Sequence, residues 1–485
     1  MKQKLLLLIT SISFFSCAQE RLTDVADDTL NVDEVSATTQ SLLIDKDAES
    51  LTSQEAKNVA ALFRSRNGGV SSHSASDLAS ESASVETIVD ATTSEPLLYI
   101  VNWTNEGGFV VVSASKKCFP VACYSETGNF SIDADPASMS YLEDYKSLVQ
   151  EAIDDTSDTM RLKYAVEWST FEKQDEESAI ASSRATSSAI QQMIEYEIAA
   201  KTALGYTYIG KITAAAYYLP ESEYEALIED VSSHTDSDYD YEEVSLFFVN
   251  YYVGTDIEPL MGTEWYQDKA PFNVGTSNGY AGCVPIAVGQ IVNYHKYPED
   301  EYDWDEMASV YADNEEIIKF MQKIRVLCQV EYYDTGTSSN YVKATSAFEE
   351  LGYEVSLVEE PESSDISPSL KKGNPVYMRG VNSYGTGHAW VSEGYKQNVY
   401  EGVISMIPDD KYSLVTASTS TSLYQEYTFS LKNSSIYSDD YGDFFYMNFG
   451  WGGDNNGWYR HTTYNASDLE HSFNSGRKIL IVEIP

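Results

Sequence analysis

One cysteine stands where a thiol becomes reactive. Cys283 follows the small residues Ala281 and Gly282, and Pro285 falls in the next turn, where a missing N–H costs nothing. The apolar residues after it recur at helical spacing, at Val284, Ala287, Val288, Ile291 and Val292. A helix start presents unpaired N–H groups and a partial positive charge, which stabilise a thiolate. We therefore interpret Cys283 as a nucleophile rather than a buried structural cysteine.

A thiol nucleophile needs a base, and His388 is the favoured candidate. It follows a glycine-containing loop that ends at Gly387, and it opens the strand-like run Ala389-Trp390-Val391. His295 is a poor choice because twelve residues of helix place it about 18 Å from Cys283. We expect it near the helix C-terminus, where a cation is favoured. The other histidines lie in polar segments: His73, His234, His461 and His471.

Two further side chains complete the predicted site. Asn448 ends a strand-like run before a glycine-rich turn, and we expect it to orient the second ring nitrogen of His388. Trp451 would cover this polar pair and exclude water. Gln267 precedes the nucleophile, and its side-chain N–H with the backbone N–H of Cys283 would form an oxyanion hole.

Length and composition limit what can position these residues. A chain of 485 residues predicts two or three domains, and 42% apolar residues exclude global disorder. The formal net charge is -45, from 76 acidic and 31 basic residues, which argues against nucleic-acid binding. We detect no internal repeat.

The N-terminus predicts export from a bacterial cell. Basic residues at Lys2 and Lys4 precede a short apolar run that ends at Ser16-Cys17. Cys17 stands where a bacterial lipoprotein signal places its lipidated cysteine; the alternative is plain cleavage with Cys17 unmodified. The protein would end in the outer membrane or periplasm as a lipoprotein, or be secreted, with membrane attachment only through that lipid. No later run is long enough to span a membrane.

The region up to residue 240 has no reactive constellation. Thr52 and Glu55 predict a capping box that opens a helix, and a hairpin is predicted between 97–101 and 109–112. Helices are expected around 140–153 and 190–203. The acidic segment 232–243 is either an exposed connector that proteases cut or an acidic surface loop.

The remaining cysteines leave one question open at the level of the sequence. Besides Cys17 and Cys283 the chain has Cys118, Cys123 and Cys328. Their spacing matches neither a zinc site nor a dense disulfide framework. Cys118 and Cys123 either bridge each other or remain as two half-buried thiols.

The second half of the chain resembles the streptopain family of bacterial papain-like cysteine peptidases. Four blocks match in order: Trp265-x-Gln267 with 270–273, Ala281-Gly282-Cys283-Val284 through 294–298, Gly387-His388-Ala389-Trp390-Val391, and Asn448-x-Gly450-Trp451-Gly452-Gly453. They extend from about residue 259 to the C-terminus. The helix and hairpin of the N-terminal region resemble the family's propeptide more loosely.

The resemblance implies an α+β protein made as a zymogen. The expected order is a signal at 1–17, a tether at 18–48, a propeptide domain of helices and antiparallel sheet at 49–240, a connector with the activation cleavage at 241–258, and a papain-like peptidase domain at 259–485. That domain would have a helical part with a central nucleophile helix and an antiparallel β part. Partners would be protein or peptide substrates and the propeptide in cis.

The family roles map onto residues of this chain. Cys283 would be the nucleophile, His388 the base and acid, Gln267 the oxyanion donor and Asn448 a support, without metal or cofactor. The glycines Gly282 and Gly387 and the Trp451 loop would shape the substrate pocket, which is expected to prefer a hydrophobic residue at the second position before the cut. The family usually has Trp directly after the Asn; here Phe449 keeps an apolar cover but lacks the indole N–H donor.

Two other functions remain open from the sequence. A Cys-His amidase acting on cell-wall peptides or glutamine side chains also places Cys before His, but it does not account for the Asn-x-Gly-Trp-Gly-Gly block. A binding or inhibitor relative would tolerate Phe449, yet it has no need of Cys283, His388, Gln267 and Asn448 together.

Overall fold

In the part of the chain that the structure describes, 13 strands form one antiparallel sheet. The computed structural model describes residues 42–485 apart from 46–47, 68–78, 80, 105–106, 133–135, 157–158, 173–188, 220, 234–244, 335, 382–386, 407–424, 431–441 and 462–474. The predicted signal with Cys17, most of the tether, and His73, His234 and His471 lie outside these residues. Within them, no helix is both long and apolar enough to cross a membrane.

Helices occur along the whole described part of the chain. In chain order they are α1 Ser53–Asn67, α2 Pro136–Asp154, α3 Thr159–Ser169, α4 Ala189–Ala203, α5 Glu221–Ser233, α6 Cys283–His295, α7 Glu315–Leu327, α8 Tyr341–Glu350 and α9 Ser363–Lys371, with short 3-10 turns at Ile212–Tyr217 and Glu306–Ala308.

The strands are numbered in the same way. They are β1 Ala83–Val89, β2 Pro96–Trp103, β3 Phe109–Ser113, β4 Val121–Ser125, β5 Thr207–Lys211, β6 Ser245–Ile257, β7 Glu331–Tyr333, β8 Gly336–Ser338, β9 Glu354–Glu359, β10 Val376–Val381, β11 Gly387–Met406, β12 Gln425–Ser430, β13 Phe444–Asn448, β14 Gly457–Arg460 and β15 Ser475–Glu483. The mixture of helices and antiparallel sheet confirms the α+β expectation.

Local signals in the N-terminal region are confirmed. The Thr52 N–H donates to Glu55 Oε2 at 2.8 Å and the Glu55 N–H to Thr52 Oγ1 at 3.3 Å, which is the reciprocal capping box at the start of α1. Strands β2 and β3 pair antiparallel as the predicted hairpin, with Val101 opposite Val110. Cys118 and Cys123 are buried and are not joined by a disulfide, so the alternative without a disulfide is the one observed.

The sheet joins the N-terminal and C-terminal regions directly. Its main order is β1-β2-β3-β4-β14-β13-β11-β10-β15-β9, and β4 meets β14 with Tyr124 opposite Trp458. The two rings stack at a centroid distance of 6.3 Å. Residues Leu42–Pro485 accordingly form one compact unit. The core of that unit is shared across the junction, because buried side chains from both regions belong to one cluster.

The structure differs from the expected connector at 241–258. Residues Ser245–Ile257 form β6, which pairs antiparallel with the long second part of β11, from Tyr395 to Met406. Leu246 and Phe248 are fully buried. This stretch therefore belongs to the sheet and is not an exposed loop, while residues 234–244 lie outside the described chain.

Candidate active site

The predicted nucleophile lies at the first residue of α6. Gly282 caps this helix with φ of 96°, a left-handed value that favours glycine. A Cβ there would lie 2.6 Å from Thr337 Oγ1, so the close approach also requires glycine. Residues 284–292 are all buried, which makes α6 a core helix with half-buried Cys283 at its positive end.

The predicted base lies at the start of β11. His388 pairs in register with Gly380 of β10 and is buried, with 7% of its surface exposed. Its ring stacks nearly parallel on Trp390, two residues further along the same face of the strand, at 6.2 Å and 16°. The indole therefore backs the imidazole and restricts its orientation. Gly387 packs directly under the Arg379 guanidinium, because a Cβ would lie 3.0 Å from Arg379 Nη2.

The structure brings Cys283 and His388 into contact. Burial alone would raise the pKa of the Cys283 thiol. The charge of His388, a hydrogen bond with its side chain, and the backbone N–H groups of Ala389 and Val284 outweigh that effect, and the pKa is lowered. The helix N-terminus and an imidazole thus act together on one sulfur, which is the arrangement that produces a reactive thiolate.

Gln267 is joined by its backbone to the turn that precedes Cys283. Its backbone C=O accepts from the Ala281 N–H at 2.6 Å, which ties the Gln267 segment to the turn before Cys283. Its side chain is buried, and Nε2 has no hydrogen-bond partner among the described residues. A buried donor without a partner is costly, and it is expected where a ligand supplies the acceptor.

The glycine-rich turn packs against the Gln267 segment. The Gly452 N–H donates to Trp265 C=O at 2.9 Å, and Trp451 forms an isolated antiparallel bridge with Tyr266. Gly450 approaches so closely that a Cβ would lie 2.7 Å from Ile286 and 3.8 Å from Gln267 Nε2. Trp451 is thus placed next to the predicted oxyanion segment.

Asn448 does not make the contact predicted for it. Its Nδ2 donates to Thr263 C=O at 2.6 Å and to Glu393 Oε1 at 3.0 Å. Its Oδ1 accepts from Gln290 Nε2 at 3.3 Å and from the Gly450 N–H at 3.2 Å. An amide has two donors and two principal acceptor sites, so these four groups leave none for His388.

Phe449 is buried on the side of the histidine strand. The centroid of its ring lies 6.3 Å from that of Trp390 and 5.3 Å from that of Tyr459. Tyr141 of α2, in the N-terminal region, contacts both Trp390 and Phe449, at 6.2 Å and 6.3 Å. Phe449 therefore supports the indole that backs His388, so its presence does not disassemble the pair.

Three contributing residues were not predicted: Glu393, Gln290 and Thr263. Gln290 is fully buried within the apolar helix α6, and Thr263 Oγ1 donates to its Oε1 at 2.8 Å. An amide inside an otherwise apolar helical stripe is a usable sequence signal, because a buried polar group needs partners. Its partners come from distant parts of the chain, so the pattern of α6 could not name them.

The other described histidines, His295 and His461, both have lowered pKa values. His295 is the last residue of α6, and burial lowers its pKa to about 4. It is therefore neutral at neutral pH, which corrects the expectation of a cation there. Burial and the charge of Arg477 lower the pKa of His461 to about 3. Among the described residues, no group of His, Cys, Asp and Glu is placed to hold a metal ion.

Two segments of the chain match known family models. Residues 299–406 match the model described as the Peptidase C10 family. The second half of the chain is therefore similar to the C10 family of peptidases. The match includes His388 and begins after Cys283, so it does not itself test the nucleophile. Residues 48–153 match the model described as Spi protease inhibitor, which confirms a propeptide region ahead of the segment similar to C10 peptidases.

One solved structure similar to this chain is a fragment of prointerpain A from Prevotella intermedia carrying a cysteine-to-alanine substitution. The identity is 16% and the TM-score 0.40, with 82% of this chain and 98% of that chain covered. No curated protein matches the chain. On the two family matches, the protein is a cysteine peptidase made with a propeptide.

Proposed function

We propose that this cysteine peptidase is an endopeptidase in which Cys283 is the nucleophile and His388 the general base and acid. The observation that carries the proposal is the hydrogen-bonded sulfur–imidazole contact at the N-terminus of a buried helix. Both the charge of His388 and the N–H groups at the sulfur favour the thiolate.

The reaction is acyl transfer through a thioester. The Cys283 thiolate attacks the peptide carbonyl carbon, a C–S bond forms, and the C=O π electrons move to the oxygen. When the C–N bond breaks, the His388 imidazolium gives its proton to the leaving amine. Water then attacks the thioester carbonyl carbon while His388 takes a proton from it. As the C=O bond re-forms, the C–S bond breaks, which releases the acid and restores the Cys283 thiolate beside the His388 imidazolium.

Gln267 and the backbone N–H of Cys283 hold the oxyanion in this proposal. The buried Nε2 of Gln267 has no partner among the described residues, so it is available to a substrate oxygen. A donor fixed before the reaction costs no reorganisation when charge develops on that oxygen.

The N-terminal region restrains the enzyme until it is removed, and the enzyme itself makes the cut. Support comes from its match to an inhibitor family and from α2, whose Tyr141 packs behind the histidine strand. Substrates are proteins or peptides, with a hydrophobic side chain preferred at the second position before the cut. Export, with Cys17 either lipidated or removed, rests on the sequence of the first 17 residues.

The test compares two cysteine-to-alanine variants of the full chain. Cys283→Ala should abolish peptide hydrolysis and leave an uncleaved precursor, seen by intact-mass measurement of the purified protein. Cys328→Ala changes a fully buried thiol of the same domain and should still be processed. A purified Cys283→Ala variant that processes itself, or hydrolyses casein, would reject the proposal. Activity of the parent enzyme on muropeptides but not on casein would favour the amidase.

A further inference from the structure

A carboxylate outside the nucleophile–base pair is buried against the site. Glu393 lies on β11, five residues beyond His388, with 1% of its surface exposed. Its Oε2 accepts from the Met261 N–H at 2.6 Å, and its Oε1 accepts from Asn448 Nδ2 at 3.0 Å. Burial raises the pKa of this carboxyl. A charge placed in such a position is expensive, so the structure must gain something from it.

The hydrogen bonds around Asn448 have one allowed direction. Thr263 C=O can only accept and the Gly450 N–H can only donate, and these two backbone groups fix which end of the Asn448 amide is which. Nδ2 must then face Glu393, so the group at position 393 has to be an acceptor. It must also accept from the Met261 N–H on its other oxygen. A carboxylate meets both demands, and an amide does not.

The same network joins the three parts of the site. Gln290 links Asn448 to the nucleophile helix α6. Thr263 begins the segment that leads to Gln267. Its C=O accepts from Asn448 and its hydroxyl donates to Gln290. Gly450 begins the turn that packs against the Gln267 amide. Glu393 therefore acts on the oxyanion segment through Asn448 and does not touch the reacting atoms.

We propose that Glu393 is a positioning residue for the peptidase reaction, which fixes the Asn448 amide and through it the Gln267 segment and the Gly450 turn against α6. The inference rests on the proposed function, because it assigns Gln267 to the oxyanion. It gives Asn448 a role different from orienting the histidine. The pair of Cys283 and His388 should be assembled independently of this network.

Glu393→Gln is the decisive substitution because it keeps size and removes one acceptor. Its NH₂ group must face either Asn448 Nδ2 or the Met261 N–H, so one of these contacts becomes a donor–donor clash. Displacement of a positioned group by about 1 Å can cost on the order of 100-fold in rate. We expect kcat to fall about 10- to 100-fold, with KM changed less than about threefold, because the interaction with the oxyanion is made in the transition state.

The second readout is alkylation of Cys283 by iodoacetamide, which requires a thiolate but no oxyanion hole. In Glu393→Gln the alkylation rate and its pH dependence should equal those of the parent. Glu401→Gln is the matched control, since Glu401 lies on the same strand and accepts from Tyr206 at 2.7 Å, remote from α6. All variants are made in the full chain, and rates are normalised to active sites titrated with an epoxide thiol inhibitor.

The outcomes separate the two proposals. A kcat of Glu393→Gln within about twofold of the Glu401→Gln value would overturn the inference, and so would a parallel loss of alkylation and turnover. If the parent enzyme has no Cys283-dependent turnover, the proposed function fails whatever Glu393 does.

A milder variant decides the matter if Glu393→Gln does not fold. Thr263→Val removes only the hydroxyl that holds Gln290, and it should lower kcat with unchanged alkylation. Where both variants fold, the double variant should lose no more than the larger single loss, because the residues act as one unit. Unchanged kcat in Thr263→Val, or additive losses in the double variant, would contradict the inference.

Discussion

A buried ion pair holds the N-terminal region to the peptidase sheet, and its removal is the most direct test of how the two are joined. Glu167 of α3 accepts from Arg460 Nη2 at 2.6 Å and Nη1 at 3.2 Å, and from the Tyr400 hydroxyl at 2.8 Å. The two charged side chains are 4% and 3% exposed. The guanidinium also donates from Nε to Val121 C=O at 3.0 Å, so it bridges α3, β4 and β14.

The expected loss of unfolding free energy follows from the burial of the Glu167–Arg460 pair. Glu167→Gln leaves the Arg460 guanidinium buried without a counter-charge, and its new NH₂ group faces donors. Breaking a buried pair on one side costs about 3–5 kcal/mol, whereas a solvent-exposed pair is worth about 0.2–1 kcal/mol. We therefore expect Glu167→Gln to lower the unfolding free energy of the precursor by about 3 kcal/mol or more.

The assay is urea unfolding of the full chain in a Cys283→Ala background, which prevents self-processing. Glu483→Gln is the matched control, because Glu483 pairs with Lys372 at 2.9 Å with side chains 40% and 66% exposed. It should change the unfolding free energy by less than about 1 kcal/mol. A Glu167→Gln variant no less stable than Glu483→Gln would refute the reasoning. In a cycle with Arg460→Met, the double variant should lose less than the sum of the single losses.

Two further predictions concern the thiol and the activation cut. Because the pKa of Cys283 is lowered, its alkylation should stay near its maximum as the pH falls through about 8.5, where an ordinary thiol becomes protonated, and should decline only below that. His388→Ala removes the imidazolium charge and leaves the Cys283 thiol buried, so the pH midpoint of Cys283 alkylation should move above the pKa of an ordinary thiol. A midpoint that this substitution leaves unchanged would contradict the assignment of His388 as the partner of Cys283. Because β6 is paired with β11, the mature N-terminus should lie before Ser245, as intact-mass measurement of the processed enzyme would show; an N-terminus within 245–257 would contradict this.

The sequence was informative where the physics is local. The helix of Cys283 follows from apolar spacing and from Pro285 in its first turn, and the capping box at Thr52 follows from two residues three apart. The contact between Cys283 and His388 was also predicted, although 105 positions separate them in the chain. The requirement for a base limited the choice of partner, because a nucleophilic thiol needs one and the chain has few histidines.

The sequence did not predict contacts that depend on which residues face each other across paired strands. Asn448 has the residue type of an orienting amide, but its position opposite Val391 of β11 directs it toward Glu393 and Thr263. Nothing local to Asn448 indicates that outcome. The β6 strand has an apolar start at Leu246, yet the polar residues before it favoured a connector. Only the pairing with β11, more than 100 residues away, shows that it lies inside the sheet.

The continuous sheet separates cutting the chain from releasing the N-terminal region. A peptide-bond cut before β6 removes none of the contacts at the junction: the backbone pairing of β4 with β14, the stack of Tyr124 on Trp458, or the pair of Glu167 and Arg460. All of these join segments on opposite sides of such a cut. After hydrolysis the N-terminal region is therefore still held by buried aromatic and charged contacts. The free energy of those contacts, rather than the cut alone, sets how readily β14 loses its partner strand.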